Sequence, residues 1–214
     1  MSGRPICAAL ALVACLALAG CGARADERGA GGSARTASAT PKPGGSLDDA
    51  LRRHPRIGLG PRHRPGPGPG PRAGPGRACR PRLGRRVAAH VELFADRTVI
   101  LLPPGVGTGA PRRVTGAYLR GARCYGPLVT LDPTGVVLVR PGAVRTVGDL
   151  FAAWGRPLGP RRLLSFRGRV RAYAGAHRWT KDVRLLPLGR HAQVTLQVGA
   201  AVRPHARYRF PRGR

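Results

Sequence analysis

The stretch His191-Ala192-Gln193-Val194-Thr195-Leu196-Gln197-Val198 decides the reading of the fold. Ala192, Val194, Leu196 and Val198 alternate with His191, Gln193, Thr195 and Gln197, the period of two that marks a half-buried strand. A strand with one apolar face needs sheet partners and a second layer to cover it. The partners lie upstream. One hairpin runs from Val87 to Phe94, turns at Ala95-Asp96-Arg97 and returns through Thr98 to Leu102. A second runs from Leu128 to Leu131, turns at Asp132-Pro133-Thr134-Gly135 and returns through Val136 to Val139. Asp first, Pro second and Gly fourth are the preferences of a type I β-turn. Val170 to Tyr173 and Arg178 to Thr180 flank the turn residues Gly175-Ala176.

The covering layer is predicted by Thr146 and Asp149. They have the spacing of a capping box ahead of the apolar stripe Leu150, Phe151 and Trp154, with Gly155 as the stop. Hairpins, one helix and further strands predict an α+β domain over 86–202, a mixed β-sheet with one packed helix in a β-grasp-like order. Gly105 to Gly109 reads as a flexible connection, because neither a helix nor a Gly-Lys-Ser/Thr sequence follows it.

Outside this domain the periodicity stops. Residues 21–85 are rich in Pro, Gly and Arg, most densely from Gly58 to Gly76, and such a stretch is predicted to be a disordered tether. Residues 203–214 read as a basic C-terminal tail. At the other end, a basic stretch ending at Arg4 precedes the apolar run Ile6 to Leu18, a secretory signal layout over 1–20. That run is shorter than the roughly 20 apolar residues that span a hydrocarbon core. Leu18-Ala19-Gly20-Cys21 resembles the bacterial lipobox. The resemblance implies a lipid on Cys21 and a mature chain that begins there, anchored to the extracytoplasmic face of the cell membrane.

The formal charge is +29, from 38 Lys+Arg against 9 Asp+Glu, and Lys42 and Lys181 are the only lysines. Charge alone points to nucleic acid, but an exported address favours anionic lipids and wall polymers, or an envelope protein, over nucleic acid. Arg, Gly, Pro and Ala all have codons that begin with two G or C bases, so part of the arginine excess has a compositional origin. Of the cysteines, Cys7 and Cys15 leave with the signal, and Cys21 is the lipidation position. Cys79 and Cys124 remain. In an oxidising compartment such a pair is expected to form a disulfide, with two unpaired thiols as the alternative.

The domain offers little for catalysis. It holds a single serine, Ser165, and its acids are Glu92, Asp96, Asp132, Asp149 and Asp182. Asp96 and Asp132 fall in turns and Asp149 caps the helix, so no nucleophile, base and orienting group can be assembled. No catalytic residue and no cofactor is assigned, and the expectation is that the protein is not an enzyme. His90 and Glu92 share one face of the first strand, a possible residual ligand site. Two ligands fall short of the three or four that a metal needs.

The segments Val87 to Phe94 and Cys124 to Val139, with Phe151 to Gly155 and Val170 to Gly175, resemble a poorly characterised family of small exported bacterial proteins. That family carries a His-x-His-x-His-Leu strand and a later Leu-His-Thr-His-Asp-x-x-Gly-Ile-Ile-His stretch, and the resemblance spans about Cys79 to Gly199. The family's histidines look like a transition-metal site. Here those places hold Arg86, Ala88, Val129, Leu131 and Leu138, and His90 alone is retained. The resemblance implies a kept scaffold, with Cys124 and Cys79 retained, whose metal cluster is lost. Taken together, the expectation is a non-enzymatic, lipid-anchored domain presenting a basic surface to the envelope. The alternative is a weak metal- or small-ligand-binding domain with a degenerate histidine site.

Overall fold

The computed structural model describes residues 62–70 and 73–210. The signal segment, Cys21 and the tether as far as residue 61 lie outside the described residues. The order of elements is β1 (His63–Pro65), β2 (Val87–Ala95), β3 (Thr98–Leu101), β4 (Thr108–Thr115), β5 (Tyr118–Tyr125), β6 (Leu128–Thr130) and β7 (Val136–Val139). There follow α1 (Val147–Trp154), β8 (Leu158–Gly159), β9 (Arg162–Leu163), β10 (Phe166–Arg167), β11 (Arg171–Ala174), β12 (His177–Trp179), a 3-10 turn (Val183–Leu185) and β13 (Gln193–Val198).

The main sheet has the order β1-β3-β2-β13-β11-β12. β2 and β13 run parallel at its centre, in a register that sets Gln193 beside His90, Thr195 beside Glu92 and Gln197 beside Phe94. β3 and β11 flank this pair in antiparallel fashion. The first half of β2 also pairs with β7, matching Ala88 to Leu138 and His90 to Val136, and β7 in turn pairs with β6. This is the α+β architecture that the strand and helix patterns predict.

One face of the sheet makes the main core. Ala89, Val91, Leu93 and Ala95 of β2 and Val194, Leu196 and Val198 of β13 pack with Leu150, Phe151 and Trp154 of α1. The helix starts as its sequence dictates. Thr146 accepts from the Asp149 amide, Asp149 reaches back to the Thr146 amide, and Gly155 closes the helix at φ 68°. Such a cap supplies partners to amide groups that the first turn cannot satisfy.

The other face overturns two expectations. Gln193, Thr195 and Gln197 point away from the helix, yet they are buried, so β13 is covered on both sides. The cover is the C-terminal segment, expected as a basic tail from residue 203. Gln197 clamps Val202 by receiving its amide and donating to its carbonyl. Tyr208 and Phe210 pack on Ala88, Val136 and Leu138. Their aromatic area supplies the driving force that the arginines around them lack.

The tether is likewise docked where it is described. β1 adds to the sheet parallel to β3. The amides of Gly66, Gly70 and Gly74 donate to the carbonyls of Leu101, Trp154 and Ala153, and the Trp154 indole donates to the Pro67 carbonyl at 3.0 Å. Proline brings this stretch in with little chain entropy left to lose. Glycine lets the backbone approach so closely that a Cβ on Gly66 or Gly70 would collide with the carbonyl of Leu101 or Gly155. Docking by backbone hydrogen bonds, with no apolar periodicity, is why composition reads this stretch as disordered. The folded part therefore begins before residue 86 and extends beyond 202.

A further departure is the β4–β5 hairpin, a separate two-stranded sheet that begins within the Gly105 to Gly109 stretch read as a connection and continues over residues assigned no element from sequence. Gly105 and Gly107 take φ of 85° and 71°, and Gly107 lies against the Leu128 carbonyl. That loop is a packed turn. No helix among the described residues is long and apolar enough to cross a membrane.

Candidate functional site

His90 and Glu92 do lie side by side on β2, at the centre of the covered face. His90 is fully buried. Its Nε2 lies 2.9 Å from the Thr134 carbonyl, and its Nδ1 lies 2.8 Å from Gln193 Oε1 and 3.9 Å from Glu92 Oε1. A carbonyl oxygen only accepts, so Nε2 carries a proton.

Glu92 accepts from Thr195 Oγ1 at 3.1 Å, and its other oxygen lies 2.7 Å from His205 Nδ1. Tyr208 stacks on the His90 ring at 3.7 Å between centroids and 9° between planes. Phe210 stacks on His191 at 4.6 Å. Sequence reasoning found the pair and missed Gln193, Thr195 and His205 as its partners. The parallel register of β13 on β2 joins them, and no local pattern announces a register between strands so far apart in sequence. Among the described residues no group of three or more His, Cys, Asp or Glu side chains is placed to hold a metal ion.

The turn after β6 is built to support this site. Asp132 Oδ1 accepts from the Thr134 amide at 3.1 Å and from the Thr134 hydroxyl, an Asx-type closure. Gly135, at φ 80°, then passes within Cβ-clash distance of the Val91 carbonyl and His90 Nε2. Asp132 thus has the structural role that its place in the turn implies.

Cys79 and Cys124 are joined in a disulfide, with Cα atoms 5.6 Å apart. Beside it, Arg86 donates to the carbonyls of Leu83, Gly126 and Pro127 at 2.8 to 2.9 Å, while Arg140 donates to those of Ala78 and Tyr125 at 2.8 Å. Burial, then the neighbouring Arg140 and Arg80, pull the Arg86 guanidinium down to about 10. Arg140 is lowered by burial, Arg80 and Arg145. The two arginines tie loops together through carbonyl oxygens, a role set by their fixed fork of donors.

A second site, absent from the sequence reading, lies at the far edge of the sheet. Arg161, Arg169, Arg178 and Lys181 line one cavity of about 460 Å³, walled by Trp179 and Val183. All four cations are exposed. An adjoining cavity is lined by Arg161, Arg162 and Arg167. The one acid on the first cavity, Asp182, is taken up by Arg184, with Oδ2 2.6 Å from the guanidinium. Hydrogen bonds from the Arg184 side chain and amide hold the Asp182 carboxyl below its usual range. The sequence signal for this site was slight. Lys181 is one of two lysines in a chain dominated by arginine.

No family model matches the chain, and no curated protein and no solved structure is significantly similar to it.

Proposed function

We propose that this is a non-enzymatic domain, held by lipid on Cys21 at the extracytoplasmic face of the cell membrane, that presents a basic surface to anionic envelope components or an envelope protein. One observation carries the basic-surface part. Every acid among the described residues is engaged within the chain. Glu92 meets Thr195 and His205, Asp96 accepts from the Ala200 amide, and Asp132 and Asp149 close their own turns. Asp182 pairs with Arg184. With 38 Lys+Arg against 9 Asp+Glu in the chain, the exposed arginines have few carboxylates to offset them, which sets up a long-range field for polyanions. The anchor rests on Leu18-Ala19-Gly20-Cys21, and an oxidising compartment is consistent with the Cys79–Cys124 bridge.

The β-grasp-like reading belongs to the same proposal. What supports it is a hairpin whose first strand runs parallel to the last strand, with a helix across one face. So does kinship with the exported histidine-rich family. Ala88, Leu138 and Val129 stand in one cross-strand row, and Leu131 packs on the same cluster. Carbon fills these four of the places where that family would converge nitrogen ligands, and the cation Arg86 stands at another. The second reading, a residual ligand site at His90 and Glu92, rests on the placement of the two side chains beside each other on β2, 3.9 Å apart.

The test is fractionation of cells expressing the full chain and Cys21→Ala. The expected result is membrane association with fatty-acid labelling of the first, and release or an uncleaved precursor for the second. Labelling of the Cys21→Ala chain would refute the anchor. Retention of the full chain on anionic wall polymer at physiological salt, lost at high salt, is the expected signature of the surface. Equal retention on neutral polymer would refute that part.

A further inference from the structure

We propose that the cavity between the β8–β9 turn and β12 is a binding site for a phosphodiester polymer, with Arg161, Arg169, Arg178 and Lys181 as its phosphate-holding groups. This inference rests on the basic-surface reading above and gives it a location. Four cations from separate segments converge there. Arg161 lies in the turn from β8 to β9, Arg169 precedes β11, Arg178 is on β12 and Lys181 follows it. Like charges in one concavity repel, and the acid at its rim is already occupied by Arg184. The concavity thus has donors and charge in excess of anything the described chain puts into it. Guanidinium forks match phosphate oxygens two at a time, and an ammonium group adds a point charge.

The shape selects among polyanions. A bilayer offers a broad, nearly flat array of headgroups, whereas this site is a cup of about 460 Å³. Arg161 also lines the adjoining cavity with Arg162 and Arg167, so successive phosphates of one linear chain would have successive seats. Trp179 and Val183 give the wall an apolar patch for the carbon units between phosphates. The Trp179 indole is fixed in place by its hydrogen bond to the Asp182 carbonyl at 2.9 Å.

The experiment uses the full chain in non-ionic detergent and measures binding of a linear glycerol phosphate oligomer by calorimetry at several salt concentrations. Arg161→Ala with Arg169→Ala, and separately Arg178→Ala with Lys181→Ala, are each expected to weaken binding about tenfold or more and to flatten its salt dependence by about 0.7 per lost phosphate contact. Arg82→Ala with Arg85→Ala removes the same charge from exposed positions elsewhere and is expected to change affinity less than about twofold. Arg161→Lys with Arg169→Lys keeps the charge and should fall between, because the forks are lost. Circular dichroism of each variant confirms folding.

Equal losses in the cup and control pairs would overturn the site and leave a diffuse basic surface standing. No binding by the unaltered chain at physiological salt would overturn both. A single-stranded oligonucleotide of equal phosphate number, or anionic vesicles, binding at least ten times more tightly than the oligomer would overturn the assignment of the polymer.

Discussion

Replacing His205 with alanine tests whether the C-terminal segment is part of the fold. Glu92 is 3% exposed and sits in a sheet face that water does not reach, so its carboxylate depends on the donors around it. Thr195 supplies one bond to Oε2 at 3.1 Å, and His205 lies 2.7 Å from Oε1. His90 stands further off, at 3.9 Å, with its ring nitrogens within hydrogen-bond reach of Gln193 and Thr134. Removing His205 takes away a hydrogen-bond partner at 2.7 Å from a buried carboxylate oxygen.

Breaking a fully buried pair costs about 3 to 5 kcal/mol. The His205 side chain is 20% exposed, so water can replace part of what it gave, and a loss of about 2 kcal/mol is expected. For a domain of this size that corresponds to a fall in Tm of roughly 4 to 8 °C. Tyr208→Ala removes the ring stacked on His90 and should cost about 2 to 3 kcal/mol, less than a fully buried aromatic because Tyr208 is only half-buried.

Urea unfolding of the oxidised full chain, followed by tryptophan fluorescence, reads both losses as shifts in midpoint at constant slope. The control is Glu92→Gln. With the charge gone, His205→Ala should cost about 1 kcal/mol less than it does beside Glu92, a coupling that a double-mutant cycle isolates. A His205→Ala midpoint within about 0.5 kcal/mol of the parent, or no coupling to Glu92→Gln, would refute the docked segment.

Three further outcomes are expected. Cys79→Ser with Cys124→Ser opens a loop with a sequence separation of 45 and should cost about 2 to 4 kcal/mol in the chain-entropy view; an unchanged unfolding midpoint in the double variant would be the contrary result. Arg97→Gly should stabilise by about 0.5 to 1 kcal/mol, because Asp96 and Arg97 both take positive φ, 47° and 64°, in the β2–β3 turn. The backbone there has the two-residue geometry for which Asp-Gly is preferred, and a lowered Tm would contradict it. Calorimetric titration of the untagged, oxidised protein with copper or zinc should show no submicromolar site, since both His90 ring nitrogens face partners and Tyr208 covers the ring. One-to-one binding lost in His90→Ala would promote the residual-ligand reading.

The parts of the fold that could be read in sequence are those where local chemistry and tertiary need coincide. Thr146, Asp149 and Gly155 cap α1 whatever it packs against. The alternation in β13 survives because its apolar half must meet the helix. β4 is different. Thr108-Gly109-Ala110-Pro111-Arg112-Arg113-Val114-Thr115 contains glycine, proline and two arginines, and its pairing slips at Gly109/Arg112 and again at Arg113/Val114. A strand held by backbone pairing through two irregularities leaves no period of two to detect. The docked part of the tether fails to register for a related reason, since its bonds run from glycine amides.

The C-terminal segment did carry a signal. Tyr208 and Phe210 alternate with Arg207 and Arg209, the same period that identified β13, but over too few residues to stand out among so many arginines. Its consequence reaches the candidate site. Polar β13 residues usually mark a solvent face, and here Gln193, Thr195 and Gln197 are buried because that segment lies on them. A polar row under a cover must be satisfied by specific partners. His90 meets Gln193 Oε1, Glu92 meets Thr195 and His205, and the Val202 backbone meets Gln197, which ties His90 and Glu92 to holding the cover in place. The proposed phosphate site lies away from this covered face, at the far edge of the sheet. Arg161, Arg169, Arg178 and Lys181 become neighbours only after β8 to β12 have folded back on one another, so no window of sequence contains their meeting.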